Sequence, residues 1–242
     1  MAASATTGAN ISVTSLATGN GASSSSSTPS LPRVTTSQSS EYCHRLADIV
    51  SRASVADPLN IVFQQEKTGQ STAVTSDLLY TAAKDRVDTK VAGGALVVEA
   101  AEFAAVACWE PPSAIPPLLT DSKLQAMALE RPVFTEFVRD VQDARLACLG
   151  EGQLYWSLSL MARDPERKDK GAVRAVIEPY VKRAKAEGLP LWLVAGNPRA
   201  RDVYAYFGFR VVHTIISYPR DRTEGDEGVP TWCMVCNWPV EK

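Results

Sequence analysis

The first 40 residues contain no Asp or Glu, no aromatic residue and a single cation, Arg33. A segment built mostly from Ser, Thr, Ala and Gly cannot bury enough apolar surface to offset the entropy of ordering it. Residues 1–40 are therefore expected to form a disordered tail, with one folded domain over residues 41–242. The same start lacks the charged segment and apolar core of a secretory signal. Organelle transit peptides share its shortage of acids, but they are rich in Arg and this start is not. No apolar run in the 242 residues is long enough to span a bilayer, so no membrane partner is expected. The net charge of −2 gives no basic surface for nucleic acid. The five cysteines are an odd, scattered set, which suits free thiols in a reducing cytoplasm. Cys233 and Cys236 have the spacing of a redox or zinc pair. They lie in a strand-like run without a second ligand pair, and residues three apart on a strand point to opposite faces, so no metal is expected.

What is present reads as a mixed α/β domain with no internal repeat. Ser40 is placed as a helix cap, with Tyr42, Leu46, Ile49, Val50 and Ala53 following at helical spacing. Asp57-Pro58-Leu59 breaks that helix, and Asn60–Gln65 is expected to be a short helical turn. A further helix runs from Ser76 to Arg86. Ala95–Glu99 and Ala104–Trp109 form a hairpin, and the proline-rich stretch from Glu110 to Pro117 cannot pair in a sheet. Two helices meet at Pro132. Leu154–Met161 is a strand, and a helix from Gly171 to Glu187 ends at Gly188 with Pro179 inside it. Pro190–Ala195 is a strand. Asn197-Pro198 opens a helix closed by Gly208, and Phe209–Tyr218 with Thr231–Trp238 make a last hairpin.

One stretch points to chemistry. The basic loop Arg163–Lys170 leads into a helix that begins at Gly171. Helix-start N–H groups have no intrahelical partner and sit at the positive dipole end, so such a loop can hold phosphates. Downstream come Asn197 and then Tyr204 four residues before Gly208-Phe209. Together these residues resemble the GNAT superfamily, the acetyl-CoA-dependent N-acyltransferases. The family's phosphate loop falls on Lys168, Asp169, Lys170, Gly171, Ala172 and Val173. The likeness is nearest to stand-alone GNAT-like proteins of fungi, through Asp57-Pro58-Leu59 and Pro179. The chain departs from the pattern at Lys168, where Arg or Gln is usual, at Asp169 and Val173, where small residues are usual, and at Ala200, where many relatives carry a second Asn.

The resemblance implies a mixed central sheet flanked by helices and direct transfer of an acetyl group from acetyl-CoA to a small-molecule or peptide amine, by a monomer or homodimer. It implies that Met161, Ala162 and Arg163 offer main-chain groups to the pantetheine, that Lys168–Val173 meet the diphosphate, and that Asn197 either bonds the cofactor or caps its helix. Tyr204 is the implied proton donor to the departing thiolate. No general base stands out. Glu99 and Glu110 end strands that can reach a pocket, and His44 and His213 are the only histidines. Asp57, Phe63 and Gln64 are candidate acceptor contacts or simply capping and packing residues. Trp109, Tyr155, Trp156 and Trp192 are either acceptor walls or core. Two other readings remain open: a GNAT-fold protein that binds acyl-CoA without catalysis, and an O-acyl or tailoring transferase.

Overall fold

The computed structural model describes residues 31–69, 73–220, 222, 225 and 227–239; the tail through residue 30 lies outside them. The first described element is a strand, β1 (Val34–Ser37), inside the segment assigned above to the tail. It pairs antiparallel with β2 (Leu96–Ala100), in register Val34 with Ala100 and Ser37 with Val97. The folded domain thus begins near residue 31 and not 41. Four residues of Val, Thr and Ser carry too little apolar signal to be seen alone, and a preformed edge at β2 supplies the pairing they need. The hydroxyl of Thr35 reinforces it by bonding the Glu99 carboxylate and the Tyr42 phenol.

Three helices follow: α1 (Ser40–Ala53), α2 (Pro58–Thr68) and α3 (Ser76–Ala92). Their caps sit one residue before the expected ones at α1 and α3, where Ser39 accepts from Tyr42 N and Thr75 from Leu78 N. The expected short turn at 60–65 is a full helix, because Asp57 caps it by accepting from Leu59 N and Pro58 starts it pre-shaped. After β2 come β3 (Ala105–Glu110), a 3-10 turn at Pro112–Ala114, α4 (Asp121–Glu130) and α5 (Pro132–Leu149). Then follow β4 (Trp156–Arg163), α6 (Ala172–Ala186), β5 (Leu191–Ala195), α7 (Pro198–Tyr206), β6 (Arg210–Ser217) and β7 (Val229–Cys236).

Among the described residues the strands form one sheet in the order β1-β2-β3-β4-β5-β7-β6. Every pairing is antiparallel except β4 with β5. Alternation along β3 feeds two cores: Ala105, Ala107 and Trp109 face α6, while Val106 and Cys108 face α1 and α3. A third core lies beneath α5, around Tyr155, Trp192 and Val235. Covered on both faces, all six residues of β3 are buried. Cys233 joins the α5 core and Cys236 the α6 core, so the two thiols do lie on opposite faces. Among the described residues no cluster of His, Cys, Asp and Glu can hold a metal ion, and no helix is long and apolar enough to cross a membrane.

Helix α5 has no side-chain cap of its own. Glu66 of α2 supplies one from outside. Its fully buried carboxylate accepts from Val133 N at 2.6 Å and Phe134 N at 3.2 Å. A charge this deep is tolerable because it takes hydrogen bonds at a positive helix end, with Arg131 at 3.6 Å. Phe63 packs edge-on against Phe134 and Phe137 in the same contact.

Candidate active site

The site grows from one irregularity in β4. Cys108 of β3 pairs with Leu160 and Trp109 pairs with Leu158, which leaves Ser159 as an extra residue. A bulge bends its strand and reverses which residues face which neighbour. Below it, Trp156 N donates toward β5, to Pro190 O at 2.9 Å. Above it, Asp164 N donates the other way, to Ala104 O at 3.0 Å. Pairing of β4 with β5 stops at Leu158 and Leu193, so the strands part just where the bulge sits. Along an antiparallel ladder main-chain groups alternate sides. Met161 and Arg163 therefore turn theirs into the parting, while those of Ala162 return to β3. Two of the three expected residues turn their main-chain groups to the parting; Ala162 does not.

The loop after β4 is held at both ends. Asp164 receives both guanidinium nitrogens of Arg52 from α1, at 3.0 and 3.1 Å, and accepts from Glu166 N. The Arg52 guanidinium, above all, holds the Asp164 carboxyl below its usual range. Further on, Arg167 donates to both oxygens of Asp169 and to the carbonyls of Ala101 and Glu102 in the β2–β3 turn. Ala101, Glu102 and Phe103 all have positive φ, a strained run for residues with side chains. Glu99 and Arg167 pin it, Glu99 by accepting from Phe103 N. Asp169 is thus engaged by a cation two residues away.

Gly171 sits at φ +81° and is the N-cap of α6, with no side-chain cap. A Cβ there would meet Pro32 at 3.3 Å as well as the torsional penalty of the left-handed region. The first N–H groups of α6 are consequently open. Lys168 and Lys170 beside them are exposed and make no ion pair with a described residue. The second helix start at the parting is closed. Asn197 Oδ1 accepts from Ala200 N at 2.9 Å, and its Nδ2 donates to Asp57 at 3.0 Å. The capping role expected for Asn197 is present, and Asp57 is tied to it as well as to its own helix.

Tyr204 projects from α7 into the core below α6, edge-on to Phe209 at 6.0 Å. It is 6% exposed, and its phenol has no hydrogen-bond partner among the described residues. Burial pushes its pKa well up. Tyr206, two residues on, is 68% exposed and bonds Arg174 instead.

The remaining candidates separate by partner. Glu99 is taken up by Thr35 and Phe103. Glu110 is buried, with Oε1 accepting from Lys90 at 2.7 Å and Oε2 left without a described partner. His44 bonds Tyr80 between α1 and α3, and His213 sits on β6, two strands from the parting. Trp109 and Trp156 pack on Tyr180 under α6 and donate to Val176 O and Glu187; Tyr155 and Trp192 belong to the α5 core. All four aromatics are core. The bulge, the Arg52–Asp164 pair and the Arg167 latch went unseen in the sequence, which showed only a basic loop there.

No family model matches the chain. It is 29% identical over 115 residues to an uncharacterized protein of Saccharomyces cerevisiae, covering 47% of this chain and 46% of that one. Over 77 residues it is 31% identical to a protein of Schizosaccharomyces pombe described as an uncharacterized N-acetyltransferase, covering 31% of each. The chain thus spans less than half the length of these curated relatives. Among solved structures it resembles arylalkylamine N-acetyltransferase 2 from Aedes aegypti, with a TM-score of 0.56 at 16% identity, over 84% of this chain and 97% of that one. At that identity the likeness is one of fold: the chain has a GNAT fold.

Proposed function

We propose that this protein transfers an acetyl group from acetyl-CoA directly to an amine. The observation that carries the reading is the parting of β4 from β5, and three features support it. These are the main-chain groups of Met161 and Arg163, the uncapped start of α6 and the unpartnered phenol of Tyr204. The donor set fits such a cofactor. Met161 and Arg163 can bond pantetheine amides as an added strand would. The N–H groups from Gly171 onward, with Lys168 and Lys170, suit a diphosphate. Asp169 does not oppose it, since Arg167 already holds that carboxylate.

Acetyl-CoA would supply a thioester carbonyl as the acyl donor. The protein's part is to orient it, exclude water and hold a proton. Because burial raises its pKa, Tyr204 stays protonated throughout the neutral range. It is a donor to negative charge forming on sulfur, and a poor donor otherwise. In the balanced transfer a C–N bond forms as the C–S bond breaks, sulfur takes a proton and the acceptor nitrogen loses one.

The test is thiol release from acetyl-CoA with and without a panel of amines, beside calorimetric binding of acetyl-CoA. Amine-dependent release supports the reading. Tight binding without release to any amine would favour a cofactor-binding protein.

A further inference from the structure

A cavity of about 610 Å³ opens on the sheet face opposite α6 and Tyr204, between α3 and the loop after β3. Asp85, Arg86 and Lys90 of α3, Glu110 at the end of β3, and Ser113 and Ala114 of the 3-10 turn line it. The cavity is joined to the parting by a hydrogen bond. Arg86 Nη2 donates at 2.9 Å to the carbonyl of Ser159, the extra residue of the bulge. One guanidinium thus spans from the cavity wall to the point where β4 leaves β5.

The charges on the wall are unevenly satisfied. Lys90 and Glu110 form a pair with side-chain exposures of 19% and 4%. That pair uses only Oε1 of the carboxylate, and Oε2 takes no hydrogen bond from a described residue. Arg86 makes no ion pair with any described residue; its one bond is to a neutral carbonyl. A half-used carboxylate and an exposed guanidinium on one wall fit a ligand carrying both signs. A simple cation would answer Glu110 and be repelled by Arg86 and Lys90. A simple anion would leave Glu110 Oε2 unanswered. Answering the charge on both sides is what separates a good ligand from a near relative missing one group.

We infer that this cavity is the acceptor pocket and that the acceptor is an amino acid or similar small molecule bearing both an amine and an acid group. Arg86 takes the acid group and Glu110 Oε2 the amine, at the edge of the bulge. The inference rests on the transfer reading above and names the substrate class for it.

The full chain is titrated calorimetrically with two matched pairs, phenylalanine with phenethylamine and leucine with 3-methylbutylamine. Thiol release from acetyl-CoA is followed in parallel. The amino acid is expected to bind at least tenfold more tightly than its decarboxylated partner in one pair or both. Arg86→Gln should cut that preference to under threefold. Ser113→Trp, which fills the cavity without touching a charge, should weaken both members; both positions are exposed, so folding is not at stake as it is at the buried Glu110. Equal or weaker binding of the amino acids in both pairs, or binding indifferent to both substitutions, overturns the pocket. Amino-acid binding of the expected pattern without thiol release upholds the pocket and sinks the transfer reading. Thiol release to simple amines, unchanged by Ser113→Trp, does the reverse.

Discussion

Two helices start at the parting of β4 and β5, and they start differently. Helix α6 opens on a left-handed glycine with no cap, flanked by two exposed lysines. Helix α7 opens on an asparagine that caps it, a proline that needs no partner, and an aspartate bonded to that asparagine. Both have the positive dipole end of any helix, but only α6 leaves its donors free and its charge unopposed. The difference divides the labour. Under the proposed function the start of α6 binds the cofactor, while α7, closed at its start, presents Tyr204 from its last turn.

The sharpest break of that division would come from Tyr204→Phe. If α7 supplies chemistry, turnover should fall by roughly 10²–10⁴-fold, the range for a positioned acid. Acetyl-CoA affinity should change little, since a ground-state thioester hardly needs the proton. Steady-state rates beside calorimetry check this; turnover within a few-fold of the parent would remove Tyr204 from the mechanism.

Next in size is the double change Lys168→Ala with Lys170→Ala. Losing charge-assisted contacts to a diphosphate should cost about 1.5–3 kcal/mol, roughly 10–100-fold in affinity, and flatten its salt dependence. Unchanged affinity across a salt series would mean that the lysines only face solvent.

Arg167→Ala should weaken acetyl-CoA binding several-fold by freeing Asp169 beside the anion site. The double variant Arg167→Ala with Asp169→Ala should recover it. If the double variant binds no better than the single, Arg167 acts by holding the β2–β3 turn and not by covering a charge.

The smallest effect is expected at the closed start. Asn197→Ala removes a cap, worth about 1 kcal/mol of stability. It should lower the melting temperature by a few degrees and leave acetyl-CoA affinity within threefold. A larger loss of affinity would make the two helix starts alike and erase the contrast.

The sequence was legible where local chemistry decides the outcome. Asn197-Pro198 marks a helix start and Pro132 the meeting of two helices, and each does so in the structure, whereas Asp57-Pro58, read as a break, also starts a helix. The alternation that separates Cys233 from Cys236 was also readable. Gly171 was readable as a helix start, while Tyr204 was singled out only through the resemblance. What stayed hidden depends on partners distant in the chain. β1 exists because β2 offers it an edge. The bulge at Ser159 carries no glycine or proline and shows only in its register against β3. Asp169 looked like a charge in the wrong place because its neutralising neighbour, Arg167, was not distinguishable from any other loop cation. Glu110 and Arg86 are unremarkable apart; only the fold sets them on one wall.

The buried carboxylate of Glu66 has a consequence for motion. Two amides at the start of α5, Val133 and Phe134, are bonded by a side chain of α2 and by nothing in their own helix. They can exchange with solvent deuterium only when α2 lifts away or α5 itself unfolds. Their exchange rates therefore act as a clock for α2, the helix whose first residue follows Asp57 at the parting. Should a ligand on that side draw α2 inward, those two amides, set on a different helix, would slow first.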